Sequence, residues 1–452
     1  MQLFGSSGIR GVANEEVTPT LCLRIGLAVG TLVDGQAAVG RDTRATGEML
    51  ADATASGLAS AGSDVDRLGV LPTPALQSYA EREGVPAVMI TASHNPPQYN
   101  GIKLVGNDGI EFGVDQLERV EELLDDGTFE HARWDETGNA RRVTSARREY
   151  VEEVVAAVDR ERIAAADLTV ALDPGHGAGS LTSPGLFRKL GCEVHTVNAQ
   201  RDGSFPGRDP EPVPEHLADL GRLVRTTDAD VGIAHDGDAD RAIFFDEYGN
   251  YIEGDATLAV LAGATLDDGD STVSAVTVSQ RLVDVASEAG AELELTPVGS
   301  TRIISRVREL HDDGVSVPIA GEGNGGVLFP DHRLARDGAY TAARFLELLA
   351  DRSASAVVEA VGGYHNVRTT VGYESDADRA TLLAAAAAYA DESEGELNDT
   401  DGYRLDFGDA WLLVRESGTE PVVRIYTEAH TEARAHELAD GIGDRLDRAL
   451  DG

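Results

Sequence analysis

The sequence predicts an α/β protein of several layered domains, closed by a smaller α+β domain. Three observations carry this. Short apolar runs alternate with stretches of helical spacing for most of the length, the pattern of sheets covered by crossover helices. The runs end in glycine, aspartate or proline, residues that stop strands. Towards the C-terminus the pattern changes to three short runs close together, followed by one long helix. A chain of 452 residues corresponds to three or four domains of ordinary size. We expect boundaries that give domains 1–145, 146–250, 251–356 and 357–452.

The elements follow in order. Thr18 caps a helix with Pro19 in its first turn. Ala37-Ala38-Val39 is a strand that ends at Gly40-Arg41-Asp42, and a helix follows from Met49 to Ala61. Ala87 to Ile90 is a short buried strand, and Leu117 to Leu124 has helical spacing. A second domain opens in the helix containing Tyr150, Val154 and Val155, and holds strands over Leu168 to Leu172 and Val231 to Ala234. A third starts near Tyr251, with strands Val273 to Val278, Leu293 to Thr296 and Val317 to Ala320. Tyr403 to Phe407, Trp411 to Val414 and Val422 to Tyr426 are the short terminal strands, followed by a helix to Leu450. The alanine run 384–388 reads as helix, since alanine is the best helix former.

Composition narrows the function. Hydrophobic residues make up 42% of the chain but aromatics only 5%, so the cores must be built from Ala, Val and Leu. The net charge is −41, with 79 acidic against 38 basic residues. Such a chain repels nucleic acid and anionic membranes, so neither is expected as a partner. It also repels itself, a cost that molar salt removes by shortening the screening length to about 3 Å. Acid excess with scarce lysine therefore points to a halophilic, salt-rich cytoplasm, with an ordinary acidic protein as the alternative. Cys22 and Cys192 lie far apart without metal-ligand spacing and read as two buried small residues in a reducing compartment. No basic-then-apolar leader and no membrane-length apolar run occur, so the expectation is a soluble cytoplasmic protein. Nothing in the sequence sets an oligomeric state.

The segment Thr91-Ala92-Ser93-His94-Asn95-Pro96, followed by Asn100-Gly101-Ile102-Lys103, is the strongest chemical signal. Asn95-Pro96-Pro97 disfavours helix and marks a loop. Ser93 thus sits at a strand end, where open α/β sheets place their chemistry. A hydroxyl there, with an imidazole beside it and an amine ten residues on, reads as a nucleophile with acid/base partners. The plainer reading is a polar turn closing a strand. Lys103 favours chemistry: it and Lys189 are the only lysines in the chain. A desolvated lysine can lose its proton, whereas arginine effectively cannot.

Asp236-Gly237-Asp238-Ala239-Asp240-Arg241 sets carboxylates at alternate positions. The spacing alone means little, because so acidic a chain should hold about two such triplets by chance. Context carries more weight. The loop joins the apolar runs Val231 to Ala234 and Ala242 to Phe245, and three carboxylates at a strand end repel unless a cation sits among them. Hard cations such as Mg²⁺ take oxygen ligands of this kind. A solvated acidic turn is the alternative. A helix-loop-helix calcium site is disfavoured by Arg241, which stands where that loop needs glycine.

Two glycine-bearing segments offer anion contacts. Arg415-Glu416-Ser417-Gly418-Thr419-Glu420-Pro421, with Arg424, combines hydroxyls, approachable backbone amides and two arginines suited to phosphate oxygens. Gly5 to Gly11 brings Arg10 on a flexible loop. Gly321-Glu322-Gly323-Asn324-Gly325-Gly326 follows a strand, and its carboxylate and amide suit sugar hydroxyls. Each of these segments also reads as an ordinary turn.

Taken together, these segments resemble the α-D-phosphohexomutases, the family of phosphoglucomutase, phosphomannomutase and phosphoglucosamine mutase. Four motifs stand in family order: Thr91 to Pro96 with Lys103, Asp236 to Arg241, Gly321 to Gly326, and Arg415 to Arg424. The resemblance implies three related α/β domains and a smaller C-terminal one around a central cleft. It implies an enzyme that interconverts hexose 1-phosphate and hexose 6-phosphate through a phosphoserine at Ser93 and a hexose 1,6-bisphosphate, which also serves as activator. Mg²⁺ would be held by Asp236, Asp238, Asp240 and the phosphate on Ser93. Lys103 and His94 would move the reacting proton, and Arg10 would offset charge. Arg241, Glu322 and Asn324 would contact the sugar phosphate. Arg415, Ser417, Gly418, Thr419 and Arg424 would hold the non-reacting phosphate. Asn324 stands where many relatives have serine, and Gly326 where some have histidine; nearby His332 is a candidate replacement. A metal-dependent sugar-phosphate phosphatase and a non-catalytic sugar-phosphate binder are the rival functions.

Overall fold

The computed structural model describes residues 3–5, 8–33, 35–417 and 420–451. The chain forms two compact units, one of Met1–Thr257 with Asn324–Val357, the other of Leu258–Gly323 with Val358–Gly452.

The first unit begins with a six-stranded sheet, in the order Ile9–Val12, Tyr99–Val105, Ala87–Ile90, Gln36–Arg41, Asp64–Val70 and Ala140–Arg142. Gln36–Arg41 runs parallel to both of its neighbours, and Asp64–Val70 runs parallel to Ala140–Arg142. Tyr99–Val105 turns back antiparallel to Ala87–Ile90, and Ile9–Val12 pairs antiparallel to it in turn. The alternating pattern predicted the parallel centre but not these two antiparallel additions. Their consequence is local: the turn between Ala87–Ile90 and Tyr99–Val105 carries Ser93, and the returning strand carries Lys103.

Helices Pro19–Leu32 and Gly47–Ser60 cover the sheet. Thr18 caps the first as predicted, its hydroxyl accepting from the Leu21 amide at 3.2 Å. The two helices cross closely at small residues. A Cβ on Gly57 would lie 2.2 Å from the Leu23 carbonyl oxygen, so only glycine fits there. The core between helices and sheet is aliphatic, with Ile25, Leu50, Leu58, Val39, Val88 and Ile90 buried, in keeping with the shortage of aromatics.

A second sheet in this unit runs in the order Tyr251–Ile252, Ile243–Phe245, Val231–Ala234, Thr169–Asp173 and Glu193–Thr196. The last three are parallel, whereas Val231–Ala234 and Ile243–Phe245 form an antiparallel hairpin around the acidic loop. The hairpin Gly326–Phe329 with Arg333–Arg336 and the helix Gly338–Leu349 complete the unit, the Phe345 ring packing tilted against Phe244 with centroids 4.3 Å apart. Cys22 and Cys192 are buried and unbonded, and burial pushes both thiols up to about 12.

In the second unit, Ser271–Ala275 lies between Glu292–Thr296 and Ile319–Glu322, all parallel. The predicted strand to Val278 stops earlier. The Val276 and Val278 carbonyls instead accept from the buried Arg404 guanidinium. The C-terminal part is an antiparallel sheet in the order His365–Gly372, Val422–Ala429, Ala410–Glu416, Tyr403–Asp406 and Glu396–Asn398. Helices Asp376–Glu392 and Glu432–Asp451 pack on it through Leu382, Ile442 and Leu446. This is the α+β domain the terminal strands predicted. Among the described residues no helix is long and apolar enough to cross a membrane.

Candidate active site

Residues 91–99 form a loop held in an uncommon conformation. Ser93 sits at φ +51°, the left-handed region, where a side-chain-bearing residue costs about 1–3 kcal/mol. The surroundings compensate. The Ser93 amide donates to the Thr91 hydroxyl at 2.9 Å, and that hydroxyl donates to Asp42 at 2.7 Å. The fully buried Arg44 guanidinium uses all five of its N–H groups: on Asp42 and on the carbonyls of Ser93, Asn95, Pro96 and Tyr99, at 2.6–3.0 Å.

The acidic loop meets this one directly. Ser93 Oγ donates to Asp236 at 2.7 Å. A Cβ at position 237 would stand 2.5 Å from the Ser93 carbonyl oxygen, so Gly237 is what lets the two loops touch. Ala239 also lies in the left-handed region, at φ +57°. Thr73, at the start of the helix Thr73–Glu83, fastens the loop from the other side: its amide donates to the Asp238 carbonyl at 3.0 Å and its hydroxyl to the Asp238 carboxylate at 2.6 Å.

Asp236, Asp238 and Asp240 are buried, and each offers an oxygen within 4.8 Å of the others. Asp238 Oδ1 and Asp240 Oδ1 have no hydrogen-bond donor. Buried carboxylate oxygens without partners are costly. The carboxylates of the trio, with Ser93 Oγ against Asp236, form the all-oxygen donor set that suits a hard divalent cation. The residues therefore fit the Mg²⁺ implied by the sequence.

Cations surround the trio. Lys103 Nζ donates to Asp238 at 3.0 Å and to Asp240 at 2.9 Å, and Arg336 donates to Asp240 at 2.7 Å. Burial pushes the Asp236 carboxyl well up, and its neighbours Asp240 and Asp238 push it further. Burial and Asp240 also oppose ionisation of Asp238, but Lys103 and the Thr73 hydroxyl hold it below the ordinary value. Asp240 lies lower still: burial is outweighed by Arg336, Lys103 and Arg241. For Lys103, burial favours loss of the proton, the direction the sequence suggests, but it does not prevail. Asp238, Asp240 and Glu111 outweigh burial and hold the ammonium above its ordinary value.

His94 lies at the rim. Its Nδ1 is 3.4 Å from Ser93 Oγ and 3.1 Å from Arg241 Nη2. A guanidinium can only donate, so Nδ1 accepts and the ring proton falls on Nε2. Burial, with Arg241 and Arg10 nearby, pushes the imidazole down to about 2, so it is neutral. Arg10 donates to Asn95 at 3.1 Å, and burial together with Arg241 and Arg336 lowers its pKa. The first unit thus brings Arg10, Ser93, His94, Lys103, Arg241 and the three aspartates together. His332 is elsewhere: it stacks on Tyr340 at 3.9 Å, and its charged neighbours are Asp337, Arg333, Glu153 and Glu81. Asn324 accepts from the Gly326 amide at 3.0 Å in the turn before Gly326–Phe329.

In the second unit, Glu322 ends the strand Ile319–Glu322 and is buried. Arg415 and Arg424 are direct cross-strand partners. Like charges placed opposite each other repel, and acids moderate this: Arg415 pairs with Asp401 at 3.0 Å and Arg424 with Glu420 at 2.6 Å. Ser417 Oγ accepts from the Glu420 amide at 3.3 Å. Gly418 and Thr419, predicted members of this cradle, lie outside the described residues, as do Ser6 and Ser7 of the N-terminal loop.

Comparison with known proteins decides the family. Models of the phosphoglucomutase/phosphomannomutase α/β/α domains I, II and III match residues 1–131, 148–249 and 253–364, and that of the C-terminal domain matches 367–444. The chain belongs to the α-D-phosphohexomutase family. A phosphoglucomutase/phosphomannomutase of Thermococcus kodakarensis is 42% identical over all of both chains. A probable phosphoglucosamine mutase of Methanopyrus kandleri is 40% identical over 99% of this chain and 98% of its own. A crystal structure of a phosphoglucomutase/phosphomannomutase family protein from Burkholderia thailandensis superposes with a TM-score of 0.86, at 29% identity, over 100% of this chain and 98% of that one. The protein is accordingly a phosphohexomutase, an isomerase of sugar phosphates with the three-plus-one domain architecture.

Several residues of the phosphohexomutase site were not found from the sequence. Arg44 was passed over because Gly40-Arg41-Asp42 read only as a strand end. Thr73 and Arg336 carry no sequence signal of their own; each meets the acidic loop only through a tertiary contact.

Proposed function

We propose that this phosphohexomutase interconverts hexose 1-phosphate and hexose 6-phosphate through a phosphoserine at Ser93 and a hexose 1,6-bisphosphate that also activates it. The observation that carries this is the 2.7 Å contact between Ser93 Oγ and Asp236 inside a buried carboxylate trio ringed by cations. In the first half-reaction a sugar hydroxyl oxygen bonds to phosphorus as the phosphorus–Oγ bond of Ser93 breaks, and the hydroxyl gives up its proton. After the bisphosphate turns over, its other phosphoryl group returns to Ser93 Oγ. Such transfers need positioning and charge neutralisation above all.

Asp236, Asp238 and Asp240 would hold Mg²⁺, which when bound neutralises charge on the transferring phosphoryl group. Arg10 and Arg241 are assigned to the same phosphoryl oxygens. Lys103, held as an ammonium by Asp238 and Asp240, is assigned to give the proton that the serine oxygen gains, and the neutral His94 to take the proton that the hydroxyl loses. Glu322 and Asn324 are assigned to sugar hydroxyls. Arg415, Ser417, Gly418, Thr419 and Arg424 are assigned to the phosphate that does not react. We read the chain as cytoplasmic and adapted to high salt, given its charge of −41.

Glucose, mannose and glucosamine 1-phosphates should each be assayed for isomerisation and for phosphate release, with and without a hexose 1,6-bisphosphate. Isomerisation that rises with the bisphosphate, without phosphate release, is the expected result. Net phosphate release would mark a phosphatase, and binding without turnover a carrier.

Two further outcomes are expected. Chelation by EDTA should abolish turnover and Mg²⁺ restore it; Mg²⁺ should also raise the melting temperature of the chelated protein, and no change in either would refute the metal trio. Arg415→Ala removes a charge-assisted contact worth about 1.5–3 kcal/mol. It should raise KM about tenfold to a hundredfold, with a smaller change in kcat. An unchanged KM would remove Arg415 from the phosphate contacts.

A further inference from the structure

The six-stranded sheet of the first unit carries a second charged cavity that the chemistry above does not use. It has a volume of about 620 Å³ and opens at the C-terminal ends of three parallel strands, Gln36–Arg41, Asp64–Val70 and Ala140–Arg142. Ligands of open α/β sheets gather at that end of the strands. The volume lies within the range of about 300–1,000 Å³ that small-molecule sites occupy.

Its lining is at odds with the chain's composition. Five of the sixteen lining residues are arginine: Arg41, Arg67, Arg142, Arg147 and Arg201. Basic residues make up 38 of 452 in a chain of charge −41, so even spread would place about one or two here. Glu48 pairs with Arg41 at 3.2 Å, and Asp52 pairs with Arg67. Among the described residues, no carboxylate pairs with Arg142, Arg147 or Arg201. A protein with 79 acids had many ways to neutralise them.

One side of the cluster is seated against the loop after Arg41, while Arg142 and Arg201 are exposed. Arg201 lies in the segment that carries Gly203, and a Cβ on Gly203 would come within 2.3 Å of the Thr43 carbonyl oxygen. The segment is thus seated against the loop following Arg41. Burial lowers the Arg41 pKa, Glu48 and Asp42 oppose this, and Arg201 and Arg67 lower it further, so the arginines sense one another.

We propose that this cavity is a binding site for a small anion bearing two or more linked phosphate groups, separate from the Ser93 site. Guanidinium forks match phosphate oxygens two at a time, and several unpaired forks around one concavity call for several charges on one ligand. A nucleic acid polymer is disfavoured, because the rest of so acidic a surface repels it.

The test is calorimetric titration of the full chain with inorganic triphosphate in metal-free buffer, with saturating hexose 6-phosphate present to fill the Ser93 site. We expect one triphosphate per chain. Affinity should fall at least tenfold in an Arg142→Gln/Arg147→Gln double variant and several-fold in Arg201→Gln, with melting temperatures and mutase turnover unchanged. No binding to the wild type, equal affinity in all the variants, or displacement by hexose 6-phosphate would overturn the proposal. Equally tight binding of a hexaglutamate peptide would also overturn it, by making the cavity a docking face for acidic protein segments.

Discussion

Ser93→Ala is expected to lower mutase turnover by at least about 10³-fold, the scale of loss when a nucleophile is deleted, while the chain stays folded. Folding should survive for specific reasons. Alanine and serine both carry a Cβ, so the cost of φ +51° is the same for each. The contacts that hold the loop come from the Ser93 backbone, its amide to Thr91 and its carbonyl to Arg44, and the variant keeps them. Only the Oγ contacts, to Asp236 and to His94 Nδ1, are lost. Turnover and thermal melting, measured side by side, separate the two effects. Incubation with hexose 1,6-bisphosphate followed by intact-mass measurement adds a direct readout: one phosphoryl group on the wild type, none on the variant. Turnover above a tenth of wild type would place the nucleophile elsewhere.

What could be read from the sequence was local. The Ser93 turn and the acidic hairpin were legible because each is an apolar strand interrupted by residues that cannot continue it. Asn95-Pro96-Pro97 breaks one, and Asp236-Gly237-Asp238 the other. Lys103 stood out through rarity, but its partners did not. Nothing in its neighbourhood says that Asp238 and Asp240, more than 130 residues on, will hold its ammonium. Arg44 and Arg336 were missed for the same reason: each meets the site only through tertiary contacts. The antiparallel return of Tyr99–Val105 escaped notice because a strand buried from Asn100 onward reads alike in either direction. The overrun of the Val273 strand to Val278 has a tertiary cause too, since Arg404 takes the carbonyls that would have continued the ladder.

Arg44 gives the second large effect, and one that separates positioning from chemistry. Its five donors tie four carbonyls of the Ser93 turn to Asp42, and the side chain is wholly buried. Arg44→Met removes every one of these bonds and leaves Asp42 without its cation. Breaking a buried pair in this way costs about 3–5 kcal/mol, so a clear fall in melting temperature is expected. Arg44→Lys keeps the charge on Asp42 but offers one point of donation in place of a planar fork. It should recover much of the stability and little of the loop geometry. Because Arg44 contacts the turn through backbone carbonyls, we expect kcat in the lysine variant to drop at least tenfold while KM stays within about threefold, the signature of a misplaced reacting group. A stable lysine variant with normal kcat would show that the left-handed Ser93 conformation needs no such clamp. A matched rise in KM would instead place Arg44 among the groups that bind substrate.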